Sequence, residues 1–99
     1  EERYFEEKYR EFIGFVRKCN GPDAWIVCTL GPLDYYLYSN MERAVAQYQA
    51  ESGDSRVRCF RLVGVNLMTE GYGAISHPSL KTQARMGEEL ATRLRGLLP

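Results

Sequence analysis

The single histidine of the chain, His77, is the side chain best suited to chemistry near neutral pH. Imidazole titrates in that range and acts as a general acid or base in many enzymes. His77 comes shortly after a glycine-rich stretch, Gly71 to Gly73, and directly before Pro78. Ligands of open α/β sheets bind beyond the carboxyl ends of the strands, so a histidine in a loop after a strand is well placed to act. The alternative is a surface histidine that only precedes a helix.

The three cysteines, Cys19, Cys28 and Cys59, are predicted to be free thiols. Their number is odd, and no two of them have the spacing of a CxxC motif. One histidine and three scattered thiols do not match the ligand spacing of a structural zinc site. We therefore expect no metal and no cofactor, and thiols that pack as small apolar side chains. Cys28 lies in an apolar run, where burial is expected to raise the pKa of a thiol.

The charge balance argues against two classes of partner. The 99 residues contain 13 basic and 13 acidic side chains, so the formal net charge is zero. A protein that binds nucleic acid or an anionic membrane normally carries a basic excess. The sequence also has no apolar stretch long enough to span a bilayer and no visible signal peptide. We therefore expect neither nucleic acid nor membrane as the main partner.

Alternating helices and strands are predicted to position His77. Gly21 and Pro22 end the first helix, Asn40 is the expected cap of the second, and Ser76, His77 or Ser79 caps the third. The predicted helices span Arg3–Cys19, Met41–Ala50 and Leu80–Leu98, and the predicted strands span Ala24–Leu30 and Val57–Leu62, the latter continuing to Val65.

Apolar residues that recur at helical spacing are predicted to form the core faces of the helices. The predicted face of the first helix comprises Tyr4, Phe5, Phe12, Ile13, Phe15 and Val16. That of the second helix comprises Met41, Ala44, Val45 and Tyr48. That of the third helix comprises Leu80, Ala84, Gly87, Leu90, Ala91, Leu94 and Leu98.

The aromatic residues outside the predicted helices are Trp25 in a strand and a group of tyrosines in a loop. Trp25 is predicted to pack against a helix from its strand. Tyr35, Tyr36 and Tyr38 lie in a predicted loop, where they form either the rim of a binding cleft, or a lid or an interface patch.

The order helix, strand, helix, strand, helix predicts the α/β class. Strands that alternate with helices are joined by right-handed crossovers and lie parallel. Doubly wound sheets commonly have five or more strands, and only two are visible here. We therefore expect residues 1–99 to form either a minimal α/β domain or part of a larger one, with a partial doubly wound sheet.

The glycine-rich loop carries a family resemblance that extends from Tyr4 to Leu98. The residues Gly71-Tyr72-Gly73-Ala74, then His77-Pro78 and the following helix resemble the C-terminal half of a flavodoxin-like SGNH (GDSL-like) hydrolase. The greatest similarity is to the second family of carbohydrate esterases, which deacetylate plant polysaccharides. Weaker matches are Tyr9–Phe15 and the strand that ends at Leu30. Further matches on the last helix are Thr82, Gln83 and Met86.

The resemblance implies serine esterase chemistry on acetylated carbohydrates of the xylan or mannan type. In that chemistry a serine attacks the ester carbonyl, and a histidine takes its proton and passes it to the leaving alcohol. Carried over to this sequence, His77 is the general base and Tyr72 lines the substrate cleft. An acidic residue shortly before the histidine is missing, since Ala74 and Ile75 occupy those positions. A backbone carbonyl of the Gly73-Ala74 turn is then expected to orient the imidazole, with Glu70 as a less favoured orienting group.

The nucleophile is the main departure from the family. The resemblance places it, with the oxyanion hole, in an N-terminal half that this sequence does not include. Gly53-Asp54-Ser55 has the letters of the nucleophile motif, but Ser55 follows a helix and precedes a strand, which is the reverse of the required context. We interpret this tripeptide as a turn in which Asp54 and Ser55 bond to nearby backbone.

The sequence therefore predicts a chain that supplies the catalytic histidine and is inactive alone. Its expected partners are the N-terminal half of the same hydrolase domain, or a second copy of the chain, and an acetylated carbohydrate substrate. The alternative is a non-catalytic α/β module that binds a partner or itself through the tyrosine loop or a strand edge. The resemblance implies a secreted bacterial protein, whereas three thiols fit a reducing compartment equally well, so the compartment stays open.

Overall fold

The computed structural model describes residues 1–31, 36–65, 68, 70–73 and 77–98, and it confirms the α/β class with the predicted order of elements. The three helices are α1 (Glu2–Asn20), α2 (Tyr38–Ser52) and α3 (Leu80–Leu97). The two strands are β1 (Ile26–Leu30) and β2 (Val57–Arg61). Among these helices, none is long and apolar enough to cross a membrane.

The two strands form a parallel sheet with a register that two backbone hydrogen bonds define. The Ile26 N–H donates to the Arg56 carbonyl, and the Leu62 N–H donates to the Leu30 carbonyl, both at 2.9 Å. In a parallel ladder these bonds place Ile26 beside Val57. The same register brings Cys28 beside Cys59.

The chain divides into two compact units. The first comprises Glu1–Thr29 and Tyr36–Phe60, and therefore holds α1, α2 and most of the sheet. The second comprises Leu30–Tyr35 and Arg61–Pro99, and therefore holds the loop after β2 and α3.

The core of the first unit lies between α1, α2 and the sheet. It is built mainly from small and branched apolar side chains, with Met41 and Phe60 as its larger members. Its buried members are Ile13, Cys28, Met41, Ala44, Val45, Val57 and Phe60.

Asn40 was predicted to cap α2, and this prediction is wrong because α2 begins earlier, at Tyr38. The Asn40 side chain is only 3% exposed, and its Nδ2 donates to carboxylate oxygens of Glu6 at 2.8 Å and Glu2 at 3.3 Å on α1. The two carboxylates satisfy the amide inside the helix, so the residue does not need to lie at the helix end.

The predicted apolar face of α1 is covered only in part. Ile13 is buried, and the Phe5 and Tyr9 rings stack with centroids 5.5 Å apart. Tyr4, Phe12 and Phe15 are more than half exposed, at 65%, 56% and 63%. Helical spacing places these three rings on one side of α1. The periodicity correctly predicted an amphipathic helix, but not how much of its apolar side is covered.

The predicted core face of α3 is wrong at four of its seven positions, because Leu80, Ala84, Gly87 and Leu98 are exposed. Leu80 and Leu98 are 83% and 58% exposed, whereas Thr82, which the apolar pattern omitted, is fully buried. Thr82 is turned inward because its hydroxyl and N–H bond to the loop before the helix. The prediction of a serine cap is confirmed, since the Ser79 side chain accepts from the Thr82 N–H.

Candidate active site

His77 lies at the closing end of a narrow hairpin between β2 and α3. The Gly73 N–H donates to the His77 carbonyl at 2.7 Å, and Tyr72 pairs with Pro78 in an antiparallel bridge. These contacts hold the backbone at the His77 carbonyl and at Pro78. The His77 side chain is exposed, so a ligand can approach it.

Two glycines allow the hairpin to close. Gly71 has a φ of 65°, in the left-handed region that side chains other than glycine rarely adopt. A Cβ atom on Gly73 would lie 3.2 Å from the Pro78 carbonyl oxygen, inside the hairpin itself. The glycines of the motif therefore bring the chain back on itself beside His77.

Of the other predicted site residues, the structure describes Tyr72 and Gly73 but not Ala74. Tyr72 is 49% exposed and is the residue whose backbone pairs with Pro78, next to His77. Half of the ring is therefore open to solvent beside His77, and its role in binding substrate stays a prediction. Ala74 and Ser76 lie outside the described residues, so the orienting carbonyl at Gly73-Ala74 stays a prediction.

Glu70 precedes the hairpin, and its carboxylate is 12% exposed. It accepts from Arg85 Nε at 2.7 Å and from the Thr82 hydroxyl at 3.2 Å. The hydrogen bond from the Arg85 guanidinium to Glu70 raises the pKa of Arg85, so the arginine stays charged. We refer to Glu70, Thr82, Arg85 and Glu89 as the loop anchor.

The sequence did not predict the loop anchor as a unit. Its available signal was the spacing of Thr82, Arg85 and Glu89, which lie on one face of a helix. Their loop partner, Glu70, is distant in sequence and nothing local identifies it.

In the Gly53-Asp54-Ser55 tripeptide the Asp54 side chain bonds to nearby backbone, as predicted, whereas the same role for the Ser55 side chain stays a prediction. Asp54 Oδ1 accepts from the Arg56 N–H at 3.0 Å, and the Asp54 N–H donates to Ser52 Oγ at 3.1 Å. The carboxylate of Asp54 is held by Arg17, with Nε to Oδ2 at 2.7 Å. Ser55 therefore follows a carboxylate that is engaged in holding the fold.

Arg17 extends this contact into a network that closes the first unit. Its guanidinium also donates to the backbone carbonyls of Gly21, Ala24 and Arg56, at 2.7, 2.6 and 3.2 Å. Burial by itself raises the pKa of Asp54, but the bonds from Arg17, the Arg56 N–H and the Tyr48 hydroxyl hold it below its ordinary value. A surface cavity of about 430 Å³ borders this network, and it is lined by Arg17, Pro22, Tyr48, Ser52, Gly53, Asp54, Ser55 and Arg56.

The aromatic residues outside the core faces differ in placement from the prediction. Trp25 directly precedes β1, and the Arg56 and Arg58 guanidinium groups lie 5.6 and 5.0 Å from its ring centroid. Its packing against a helix stays a prediction. Tyr36 is 73% exposed, Tyr38 is the first residue of α2, and Tyr35 lies outside the described residues. Tyr38 therefore belongs to a helix and not to the predicted loop.

Cys28 is buried as predicted, but the expected rise in its pKa is wrong. Hydrogen bonds from Cys59 and from the Tyr9 hydroxyl lower the pKa of the Cys28 thiol, and they outweigh the opposing effect of burial. The contact arises because the sheet register sets the two cysteines side by side. All three cysteines are free, and Cys19 is exposed. Within the described ranges no group of three or more metal-ligating side chains comes together.

Comparison with known proteins gives a result at the level of structure. No protein-family model and no curated protein matches the sequence. An acetyl xylan esterase from the rumen bacterium Butyrivibrio proteoclasticus matches with a TM-score of 0.87 and 26% identity, over 96% of this chain and 24% of that one. The structural neighbours of this chain are carbohydrate esterases.

Two further neighbours come from Clostridium thermocellum. An active-site mutant of a family two carbohydrate esterase has a TM-score of 0.85 and 29% identity, over 97% of this chain and 30% of that one. A second structure of such an esterase, in complex with cellohexaose, has a TM-score of 0.78 with the same identity and coverage. The resemblance to carbohydrate esterases is thus confirmed, and the chain spans only about a quarter to a third of their length.

Proposed function

We propose that this chain is the C-terminal portion of an SGNH-type esterase domain that removes acetyl groups from carbohydrates, with His77 as its general base. The observation that carries the proposal is the exposed imidazole on a glycine-built hairpin, in a fold whose neighbours are carbohydrate esterases. The substrate class follows from the names of those neighbours and from the half-exposed Tyr72 ring beside the histidine.

The chemistry divides between this chain and a segment outside it. A serine on that segment attacks the acetyl carbonyl, and His77 takes the serine proton and delivers it to the departing sugar oxygen. Water then attacks the acetyl-enzyme, His77 accepts a water proton, and the serine regains its proton as acetate leaves. His77 therefore moves one proton in each half of the reaction.

The exposed aromatic side of α1 supports the proposal of an incomplete domain. Tyr4, Phe12 and Phe15 form a row of large rings open to solvent. The sheet has two described strands, whereas doubly wound sheets commonly have five or more. We propose that the preceding half of the same hydrolase domain covers this side of α1. A second copy of the chain is the alternative occupant, which light scattering would detect as a dimer.

The proposed function is tested on the longer polypeptide that contains this chain and on the 99-residue chain alone. His77→Ala is expected to lower acetate release from acetylated xylan by about 10³-fold or more, because the serine loses its base. Lys81→Ala, an exposed change on α3, is the matched control and is expected to leave the rate unchanged. Full activity of His77→Ala would contradict the base role.

The division between two segments has its own readout. The isolated chain is expected to be inactive on 4-nitrophenyl acetate and to take no label from a fluorophosphonate, which reacts with activated serines. The longer polypeptide is expected to be labelled, and His77→Ala to reduce that labelling. Hydrolysis by the isolated chain that disappears with His77→Ala would contradict the proposed division.

A further inference from the structure

The first residues of the loop between β2 and α3 are hydrogen-bonded to side chains of α3. The Val63 N–H donates to both carboxylate oxygens of Glu89, at 3.0 and 3.2 Å. Arg85 Nη2 donates to the Gly64 carbonyl at 3.2 Å. The first residues after the strand are therefore fixed to the second and third turns of the helix.

The same loop is fastened again just before the His77 hairpin. The Glu70 carboxylate accepts from Arg85 and Thr82, and the Glu70 carbonyl accepts from the Ser79 hydroxyl at 2.9 Å. Ser79 directly follows the hairpin. The bonds of Glu70 therefore connect the start of the hairpin to Ser79 and α3 at its end.

Arg85 connects these two sets of hydrogen bonds, because it bonds to Glu70, Gly64 and Glu89 at once. The Glu70 and Glu89 side chains are only 12% and 14% exposed. Hydrogen bonds between charged groups in such places are short and strong, and removing one partner leaves the other poorly solvated.

We propose that Glu70, held by Arg85, is a positioning residue that sets the place of His77. It acts through the backbone: a change at Glu70 releases the start of the hairpin, and the Gly73–His77 hydrogen bond loses its support. The catalytic consequence rests on the proposed function, whereas the positioning itself does not.

Nuclear magnetic resonance of the 99-residue chain tests the positioning directly. The chain has one histidine, so its imidazole Cε1–H gives a single assignable signal. Glu70→Gln is expected to shift this signal toward the unfolded position at constant pH. The Gly73 amide, which donates to His77, is expected to lose protection from hydrogen exchange by roughly tenfold, because local opening becomes easier.

Asp54→Asn is the matched control, since Asp54 is also 12% exposed and also accepts from an arginine Nε at 2.7 Å. It belongs to the first unit and is expected to leave the His77 signal and the relative protection of Gly73 unchanged. Equal effects of the two variants, or no effect of Glu70→Gln on either signal, would overturn the proposal.

Arg85→Lys provides a milder variant if Glu70→Gln does not fold. Lysine keeps the charge but loses the forked contact, so we expect a smaller shift of the same His77 signal. A His77 signal identical to that of the unchanged chain would count against the proposal. Should His77→Ala leave the longer polypeptide active while Glu70→Gln still moves the signal, the positioning stands and the proposed function fails.

Discussion

Each of the two compact units contains an arginine whose Nε atom donates to a nearly buried carboxylate, and these two contacts have the same geometry. Arg17 Nε lies 2.7 Å from Asp54 in the first unit, and Arg85 Nε lies 2.7 Å from Glu70 in the second. Both carboxylates are 12% exposed. The chemistry of the ion pair is therefore the same, and the difference lies in what surrounds it.

The surroundings of Arg17 are mostly backbone. The guanidinium reaches three carbonyls, and Asp54 accepts in addition from the Tyr48 hydroxyl and the Arg56 N–H. This network joins the end of α1 to the turn before β2 and bears no exposed catalytic group. Its role is structural, because it holds the C-terminal end of α1 against the segments that precede the two strands.

The surroundings of Arg85 are mostly carboxylate, and they hold a loop that carries His77. Arg85 is also more exposed than Arg17, at 28% against 14%. The comparison teaches that an arginine–carboxylate contact does not identify a functional site. The segment that it holds in place decides the role.

Arginine removal is expected to separate the two contacts most clearly. Arg17→Ala should lower the free energy of unfolding by about 3–5 kcal/mol, because it leaves Asp54 without its cation in a buried place. Arg85→Ala should lower it by about 1.5–3 kcal/mol, because Arg85 is the more exposed arginine and bonds to the Gly64 carbonyl, where Arg17 bonds to three carbonyls. Urea unfolding followed by circular dichroism measures both. A larger loss of stability for Arg85→Ala than for Arg17→Ala would contradict the structural role assigned to Arg17.

The free energy of unfolding at acid pH is expected to depend on the charge of Asp54. Its folded pKa lies below the ordinary aspartate value, so its contribution is complete above that value and is lost as pH falls through the folded pKa. Asp54→Asn should therefore cost about 2 kcal/mol at pH 6 and progressively less below about pH 4. Urea unfolding of both proteins from pH 6 to pH 2 measures the difference. A cost that is the same at every pH would show that the charge is not what matters.

Turn and capping residues explain why the order of elements was predictable. Gly21 and Gly53 take positive φ angles of 84° and 73° where α1 and α2 end, and Ser79 caps α3. These effects are local, and residue type alone signals them. The bond between the Asp54 side chain and nearby backbone was predictable for the same reason.

Coverage and long-range pairing were not predictable. The periodicity of α1 shows that the helix is amphipathic, but it does not show which part of the apolar side meets other elements. Glu70 and Arg85 are 15 residues apart and belong to different local structures. Only the fold brings them together. The glycine-rich motif therefore identified His77 as a candidate site residue, whereas nothing in the sequence identified the loop anchor.

An exposed ion pair on α1 provides the lower limit of the comparison. Lys8 Nζ lies 3.5 Å from Glu11, and the two side chains are 51% and 55% exposed. Water and salt screen such a pair, so Glu11→Gln should change the free energy of unfolding by less than about 0.5 kcal/mol. The same urea measurement at low and high salt checks this. A loss as large as that of Arg85→Ala would mean that burial is not what separates the three contacts, and the argument from exposure would fail for the other two as well.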